Sequence, residues 1–504
     1  MKNEIQIPAA SVSPRKFLFS KGAWSNFFLN KKLAGFGGFF FLLACSLFFS
    51  FAISKYGFIP GVLFLAIIVG LPFIYGVTVY PKFGILIFIF LANLIMWILR
   101  MGLNFPLGTL MDAMEVFLIL GFFIQQKQKT DWSFIKGPIP LVIIIWIIFN
   151  LLEVINPAAE SRLAWVYTIR SVAVIMLMYF IFVYNIRTKD FIKIILKLWL
   201  TMSIFGALYG LKQQFFGFAG FEERFVHSDP NLEQLLFIGG QWRRFSIYSD
   251  PVAFSYNMVN CSLLCIGLMT GPLKTYKRVV LGICAIICLW AMLYSGTRGA
   301  FALPPVVMIL LVILKFNKQI MTAAIIGAIG MIVLIFMPTS NPTIYRFQTA
   351  FKPSDDASFN VRKINQKRIQ PYIQSHPIGG GLGSTGIWGQ RFAPNSFLAN
   401  FPPDSGYVRV AVELGWLGLF IFCCFMFTIL RVGIINYFAI KDPELKSYCL
   451  AMLLIAFSLH IGNYPQEAIV QLPSSVYFYL VTALIVVTRR IDDEQQLQLK
   501  SKII

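Results

Sequence analysis

Arginines stand at the ends of apolar stretches, where their guanidinium groups could bind an anionic ligand. Arg298 lies between two such stretches, in YSGTRGA, and Arg243 and Arg244 lie in QWRRFSIYSDPVAF, just before another. Paired guanidiniums suit a phosphate or pyrophosphate because they donate bidentate hydrogen bonds. A charge at the edge of a membrane span is costly unless it is paired, so Arg298 is a functional candidate. Snorkelling to lipid headgroups explains Arg298 equally well, and contact with lipid phosphates is the better explanation for one of the other two.

Two further arginines lie in a segment with the pattern of a short amphipathic helix. The segment reads SFNVRKINQKRIQPYIQ and contains Arg362 and Arg368. Arg362 and Gln366 are four residues apart and would share one helix face, while Arg368 points elsewhere. We therefore do not expect both arginines to hold one ligand group without help from the fold.

A run of glycines follows this segment, in SHPIGGGLGSTG. Its glycines are Gly379, Gly380, Gly381 and Gly383. Such a run could place backbone N–H groups against an anion. It follows no strand and lacks the Lys-Ser/Thr ending, so a nucleotide-binding P-loop is not expected. The alternative is a flexible loop over a cavity.

A carboxylate that could act as a base stands where the polar segment returns to an apolar stretch. Asp404, in FPPDSGYVRVAVELG, could accept a proton from a sugar hydroxyl if burial raises its pKa. An aspartate after Pro-Pro at a helix start is also a good N-cap. Further along the same stretch, Arg409 and Glu413 are four residues apart and are expected to pair. No loop has His and carboxylates at metal-ligand spacing, so we expect no metal and no cofactor.

The composition requires a membrane environment for these residues. Of 504 residues, 58% are hydrophobic and 13% are charged, and the mean hydropathy is +0.73. The apolar runs have about the 20 residues that a helix needs to cross a bilayer. The sequence therefore predicts an all-α, polytopic helical membrane protein with about fourteen spans, twelve being the alternative count. All eight cysteines fall in predicted spans, which predicts no disulfide framework.

The formal charge of +21 would suggest nucleic acid in a soluble chain. Here the basic residues fall in alternate connectors, as the positive-inside rule requires, so no nucleic acid is expected and both termini are predicted to be cytoplasmic. The predicted segments are a cytoplasmic tail (1–32), an N-terminal transmembrane bundle (33–211), an extracytoplasmic loop (212–250), central transmembrane helices (251–337), a long extracytoplasmic loop with short helices (338–411), C-terminal transmembrane helices (412–488) and a cytoplasmic tail (489–504).

The order of these motifs resembles the superfamily of O-antigen ligases and O-antigen polymerases. The resemblance is carried by SGTRG at a span junction, SFNVRK, HPIGGGLG and DSGYVRVAVELGWLGLF, with ALYGLKQQFFG and RRFSIYSDPVAF upstream. It covers roughly residues 200 to 430. It implies a membrane glycosyltransferase in which Arg298 and Arg362 contact the donor pyrophosphate. Asp404 stands where the ligases typically carry a catalytic histidine. The resemblance therefore implies that the general base is Asp404 or His376, or that the chain belongs to the polymerases, in which the residue at this position varies.

The resemblance also implies the substrates. The donor would be a polyprenyl-pyrophosphate-linked glycan and the acceptor a sugar hydroxyl of a glycan or of lipid A-core, in the bacterial inner membrane. Membrane lipids and other polysaccharide-assembly proteins, such as a chain-length regulator, would be the other partners. A flippase or transporter of lipid-linked glycans is the alternative, although the chain shows no internal repeat.

Overall fold

The computed structural model describes residues 36–57, 59–102, 107–128, 130–352 and 357–501. The predicted tail at residues 1–32 lies outside these ranges. Residues 1–75 and 76–504 form two separate compact units, which are described one at a time.

Most of the described chain is helical. Eleven of its helices are long and apolar enough to cross a membrane, and three shorter apolar helices accompany them. Each of the predicted spans overlaps one of these helices, which confirms the all-α polytopic membrane class. The apolar helices are α1 (Phe36–Tyr56), α2 (Ile59–Val79), α3 (Pro81–Arg100), α4 (Leu107–Gln128), α5 (Pro138–Leu152), α6 (Arg162–Ile169) running through a π-helical turn (Arg170–Val174) into α7 (Ile175–Asn185), α8 (Lys189–Phe216), α11 (Pro251–Met269), α12 (Thr275–Leu293), α13 (Arg298–Phe301) with α14 (Leu303–Leu314), α15 (Lys318–Phe336), α19 (Gly406–Ala439), α20 (Pro443–Gly462) and α21 (Ser474–Ser501).

The two polar segments contain the remaining elements. These are α9 (Gly220–Val226), α10 (Pro230–Leu236), the hairpin of β1 (Phe237–Ile238) and β2 (Gln241–Trp242), α16 (Pro342–Thr349), α17 (Ala357–Ser375) and α18 (Gly386–Phe392). In the hairpin, Phe237 is opposite Trp242 in an antiparallel pair. Helix α19 begins inside the predicted loop of residues 338–411, and α21 continues far beyond the predicted end of the last span.

The first unit contains α1 and most of α2. The two helices pack through Phe49 and Phe64, whose ring centroids are 3.7 Å apart. Aromatic rings in such contact stabilise the folded protein by about 0.5–1.5 kcal/mol in addition to the effect of burying their apolar surface.

The second unit is built around α11, α20 and α21, which are the most buried of its long helices. Small residues bring these helices close together: a Cβ on Gly267 would lie 2.5 Å from the Cα of Ala451. Aromatic stacking stabilises the core, where the ring centroids of Trp199 and Tyr477 are 4.1 Å apart. Helix α15 has no buried residue, as expected of a helix that faces lipid.

Two polar contacts stabilise the second unit locally. Asp250 caps α11, where its Oδ1 accepts hydrogen bonds from the N–H groups of Val252 at 2.7 Å and Ala253 at 3.0 Å. An ion pair joins Arg170, in the π-helical turn, to Asp112 on α4 at 2.9 Å.

Candidate functional site

Three arginines from separate parts of the chain line one cavity. Arg243 follows the β-hairpin, Arg298 begins α13 and Arg346 lies on α16. The cavity holds about 640 Å³ of space, including its opening to solvent. None of the described residues that line it is acidic. We call it the arginine cavity, and its charge suits a ligand with more than one negative charge.

Hydrogen bonds to the turn before α13 fix the side chain of Arg243. Its Nε donates to the carbonyl of Ser295 at 2.9 Å, and its Nη2 donates to Thr297 Oγ1 at 3.1 Å. Burial and, after it, the positive charge of Arg346 lower the pKa of Arg243 to about 10, against the attraction of Asp250. Arg243 is therefore still cationic at neutral pH, and a bound anion would relieve the repulsion among the guanidiniums.

The glycine of the SGTRG turn makes room for Arg346. Arg346 Nε donates to the carbonyl of Gly296 at 2.7 Å. Gly296 has φ +60°, and a Cβ there would lie 2.8 Å from that same Nε. The turn therefore requires glycine both for its backbone and for the close approach of Arg346. No sequence pattern points to Arg346, because a lone arginine in a long polar segment carries no signal of its own.

Arg362 and Asp404 face each other across a second, smaller cavity, which we call the acid cavity. Arg362 Nε lies 4.0 Å from Asp404 Oδ2, and both side chains are partly exposed, at 25% and 42%. Gln366 lines the same cavity as Arg362, as the helical spacing predicts. A separation of 4.0 Å is too long for a hydrogen bond, so the pair is open to a polar group of a substrate.

Asp404 does not cap the helix that follows it. The cap of α19 is Ser405, whose Oγ accepts a hydrogen bond from the N–H of Val408 at 3.4 Å. The interpretation of Asp404 as an N-cap is therefore wrong. Burial raises the pKa of the Asp404 carboxyl, and the neighbouring charge of Arg362 opposes this. A carboxylate with a raised pKa and no capping role is suited to accept a proton.

The arginine and acid cavities are neighbours. The charge of Arg362 is one of those that lower the pKa of Arg243, which lines the arginine cavity, so the two guanidiniums are near each other. A Cβ on Gly299, which follows Arg298, would lie 3.0 Å from Pro465 Cγ and 3.3 Å from the hydroxyl of Tyr256. Because Gly299 has no side chain, the backbone of α13 can lie against Pro465 and Tyr256, and this places Arg298 in the crowded region.

His376 lies far from the Arg362 and Asp404 pair. It follows the last residue of α17, and fourteen residues separate it from Arg362, about 20 Å along a helix. Its ring stacks on Tyr372 with centroids 4.0 Å apart. Its Nδ1 lies 2.9 Å from Ser375 Oγ and 3.0 Å from the carbonyl of Tyr372. The structure therefore does not bring together the two residues considered as bases.

Arg368 and Arg244 also lie apart from the arginine cavity. The guanidinium of Arg368 lies over the ring of Phe397, 5.5 Å from its centroid. Arg244 Nε donates to Gln214 Oε1 at 3.0 Å, and its guanidinium lies over the ring of Phe218. Of the adjacent pair Arg243 and Arg244, only the first lines the cavity.

The glycine run packs against α19 and makes hydrogen bonds within the protein, contrary to the expectation of an anion-binding or flexible loop. The N–H of Gly380 donates to the carbonyl of Val412 at 3.0 Å, and that of Gly381 to the carbonyl of Glu413 at 2.9 Å. All four glycines of the run are buried. The backbone groups expected to face an anion are instead used to hold a break in α19.

That break lies at Gly415, which has φ +68° inside α19. In a regular helix the N–H of Leu417 would donate to the carbonyl of Glu413. Here it donates to the carbonyl of Pro377 at 3.2 Å, and the glycine run supplies the donor that Glu413 loses. A Cβ on Gly415 would lie 2.1 Å from the same Pro377 oxygen.

The carboxylate of Glu413 ties the glycine run to the rest of this region. Arg409 Nε pairs with it at 3.1 Å, as the spacing of four residues predicts. It also accepts a hydrogen bond from the N–H of Gly383 at 3.0 Å and one from the hydroxyl of Thr385. Arg409 pairs in turn with Glu467 at 2.8 Å, in the loop after α20. This ion-pair network fixes the start of α19, where Asp404 stands.

The helices and the charged cavities define a polytopic membrane protein with a polar site at one end of its spans. Residues 283–423 match the family model of O-antigen ligase. The matched region contains three of the four arginines of the two cavities, together with Asp404, while Arg243 precedes it. The match supports the superfamily of O-antigen ligases and polymerases, and with it an O-antigen ligase-type role in the biosynthesis of surface polysaccharide. A search of the curated proteins finds no match to the chain.

Proposed function

We propose that the protein is a glycosyltransferase that moves a glycan from a polyprenyl-pyrophosphate donor to an acceptor sugar hydroxyl. An O-antigen ligase would act on lipid-linked glycans in a membrane, which is the setting that the apolar helices provide. The observation that carries the proposal is the convergence of Arg243, Arg298 and Arg346 on one cavity with no acidic residue in its described lining.

The arginine cavity would hold the pyrophosphate of the donor. Three guanidiniums can donate several hydrogen bonds to phosphate oxygens, and their mutual repulsion is relieved when an anion binds. Apolar surface begins directly beside the cavity, on α12, where Trp290 and Ile286 are exposed. The lipid chain of the donor would leave the cavity along such a surface and remain in the bilayer.

The acid cavity would hold the acceptor. The acceptor hydroxyl would attack the anomeric carbon of the donor, and the bond from that carbon to the pyrophosphate oxygen would break. The electron pair of that bond would stay on the pyrophosphate, where the arginines stabilise the developing charge. The proton of the hydroxyl would pass to the carboxylate of Asp404. Such general-base assistance typically raises the reaction rate by about 100- to 10,000-fold. Arg362 would orient the carboxylate and keep it ionised.

The protein is further proposed to lie in the bacterial inner membrane, with both termini in the cytoplasm and the two cavities on the extracytoplasmic face. Basic connectors on alternate sides of the spans support this orientation. A flippase would instead carry the unchanged donor across the bilayer. It would need charges along the translocation path, whereas the four arginines of the cavities gather at one end of the spans.

One reconstitution separates these activities. Purified protein in liposomes is given a lipid-linked repeat unit, with and without lipid A-core, and the glycan products are separated by size. Longer lipid-linked chains would show a polymerase, and glycan on the core would show a ligase. Transbilayer movement of unchanged donor, without new glycosidic bonds, would contradict the proposal.

The arginine cavity is tested in the same assay by Arg346→Ala. Loss of one preorganised positive contact to the leaving group should lower the turnover rate by about 100-fold or more. The matched control is Arg224→Ala, because Arg224 is an exposed arginine of α9 outside both cavities. Equal activity of Arg346→Ala and wild type, with both properly inserted, would remove Arg346 from the site.

A further inference from the structure

A third cavity lies at the opposite end of α17 from Arg362. Its described lining includes Glu160, Tyr372 and Ser384, among small residues of the glycine run and of the segment before α6. It holds about 460 Å³ of space, including its opening to solvent. None of the described residues that line it is basic, in contrast to the arginine cavity.

Two hydroxyl groups converge above Gly380 in this cavity. A Cβ on Gly380 would lie 2.7 Å from the hydroxyl of Tyr372 and 3.4 Å from Ser384 Oγ. The Ser384 Oγ is buried and has no hydrogen-bond partner within the described part of the chain. A buried hydroxyl without a partner carries a desolvation cost that a bound polar ligand would remove. The glycine therefore lets its backbone lie close to Leu398 and to the two hydroxyl groups in the wall of the cavity.

A carboxylate completes the set of polar groups. Burial raises the pKa of Tyr372, and the negative charge of Glu160 raises it further, which places the two groups near each other. The phenol therefore stays protonated and can donate as well as accept. Glu160 is exposed and forms no ion pair with any residue in the described ranges, so its carboxylate oxygens are available as acceptors.

This chemistry suits a sugar residue. Sugar hydroxyls both donate and accept, and a carboxylate with two neighbouring hydroxyls can satisfy them in both roles. The lack of a basic residue in the lining disfavours a phosphate. We propose that the cavity binds a sugar of the glycan chain remote from the transferred bond, an inference that rests on the proposed glycosyl transfer.

The position of the cavity fits a chain of several sugars. Tyr372 is ten residues from Arg362 on α17, about 15 Å along the helix. A donor glycan whose anomeric carbon meets the acceptor hydroxyl beside Asp404 would have to extend along α17 to reach the third cavity. A substrate with a single sugar could not occupy both places.

The first test measures binding without catalysis. Free oligosaccharides are released by mild acid from the polyprenyl-pyrophosphate glycans of the source cells and titrated into the detergent-solubilised protein. Glu160→Gln should weaken their binding by about tenfold, the usual effect of a lost charge-assisted hydrogen bond. Gly380→Ala should abolish it, because the new Cβ would lie 2.1 Å from Leu398 Cδ1 and displace the side chains of Leu398 and Tyr372, which line the cavity. Arg298→Ala should retain it, because Arg298 lines a different cavity.

Matched controls separate the cavity from general effects. Glu223→Gln changes an exposed glutamate on α9, and Gly220→Ala adds a Cβ with nothing within 4 Å. Both should bind the oligosaccharides as wild type does. Unchanged binding by Glu160→Gln and Gly380→Ala, or no binding by wild type, would overturn the proposal.

A second test distinguishes failure of this inference from failure of the proposed function. Turnover is compared for a donor that carries one sugar and a donor that carries a full repeat unit. Glu160→Gln should raise KM about tenfold for the long donor and leave the short donor unchanged. Equal effects on both donors would contradict the third cavity alone. No turnover of either donor by wild type would contradict the transferase itself.

Discussion

At the scale of single residues, the mechanism depends on the state of Asp404. Its neighbour Ser405 provides the helix cap, so the Asp404 carboxylate faces Arg362 and the acid cavity. Burial raises its pKa while the charge of Arg362 lowers it. The two effects oppose each other, and the direction of the net shift is upward.

This shift predicts a pH dependence. A general base must be ionised, so kcat/KM should fall as the pH drops through the pKa of Asp404, which lies above the ordinary value of about 3.9. Asp404→Asn should remove this acidic limb and lower the rate by about 100- to 10,000-fold. The measurement is the pH profile of glycan transfer.

Asp229→Asn is the control for that profile, because Asp229 caps α10 in the other polar segment and Asn can also cap. The Asp229→Asn variant should keep the acidic limb of the wild-type pH profile. An Asp404→Asn enzyme with the wild-type rate and profile would exclude Asp404 as the base.

At the scale of elements, the break in α19 is held by the glycine run. The carbonyls of Val412 and Glu413, just before Gly415, accept hydrogen bonds from the N–H groups of Gly380 and Gly381. The side chain of Glu413 strengthens the same junction through Arg409. These contacts set the direction in which α19 leaves Asp404.

A pair of glycine substitutions tests this junction. Gly415 and Gly386 both have a positive φ, +68° and +65°, so replacement by alanine strains the backbone at each position. Only Gly415→Ala adds a clash, since its Cβ would meet the backbone of Pro377 and of Gly379. Gly415→Ala should therefore lower the thermal unfolding midpoint in detergent more than Gly386→Ala does. Equal shifts would show that the glycine run does not support the break.

At the scale of the whole molecule, the orientation in the membrane decides which substrates reach the cavities. The three cavities involve the long polar segment of residues 338–411, predicted to be extracytoplasmic. The basic connector at Lys441 between α19 and α20 is predicted to lie on the other side.

This orientation is tested by labelling single cysteines in a variant whose eight native cysteines are replaced by alanine. Ser375→Cys places an exposed thiol at the end of α17, and Lys441→Cys places one in the basic connector. An impermeant maleimide added to intact spheroplasts should label the first and should label the second only after permeabilisation. The reverse pattern would place the site in the cytoplasm and contradict a donor-transfer role on the outer face.

Local patterns in the sequence predicted the spans and several contacts within single elements. About 20 apolar residues in a row can cross a bilayer only as a helix, because every backbone N–H and C=O must then be paired within the segment. Helical spacing of four residues likewise predicted that Arg362 and Gln366 share a face and that Arg409 pairs with Glu413. Such contacts follow from geometry that repeats over a few residues.

Only the tertiary structure decided the composition of the site. Arg243 and Arg346 are about a hundred residues apart in sequence, and no local pattern links them to Arg298. The cap could fall on Asp404 or on Ser405, which are adjacent and both able to accept the bond, and the path of the chain into α19 selects Ser405. The glycine run could have faced an anion, but the carbonyls freed at the break in α19 needed donors inside the protein, where an unpaired backbone group is costly.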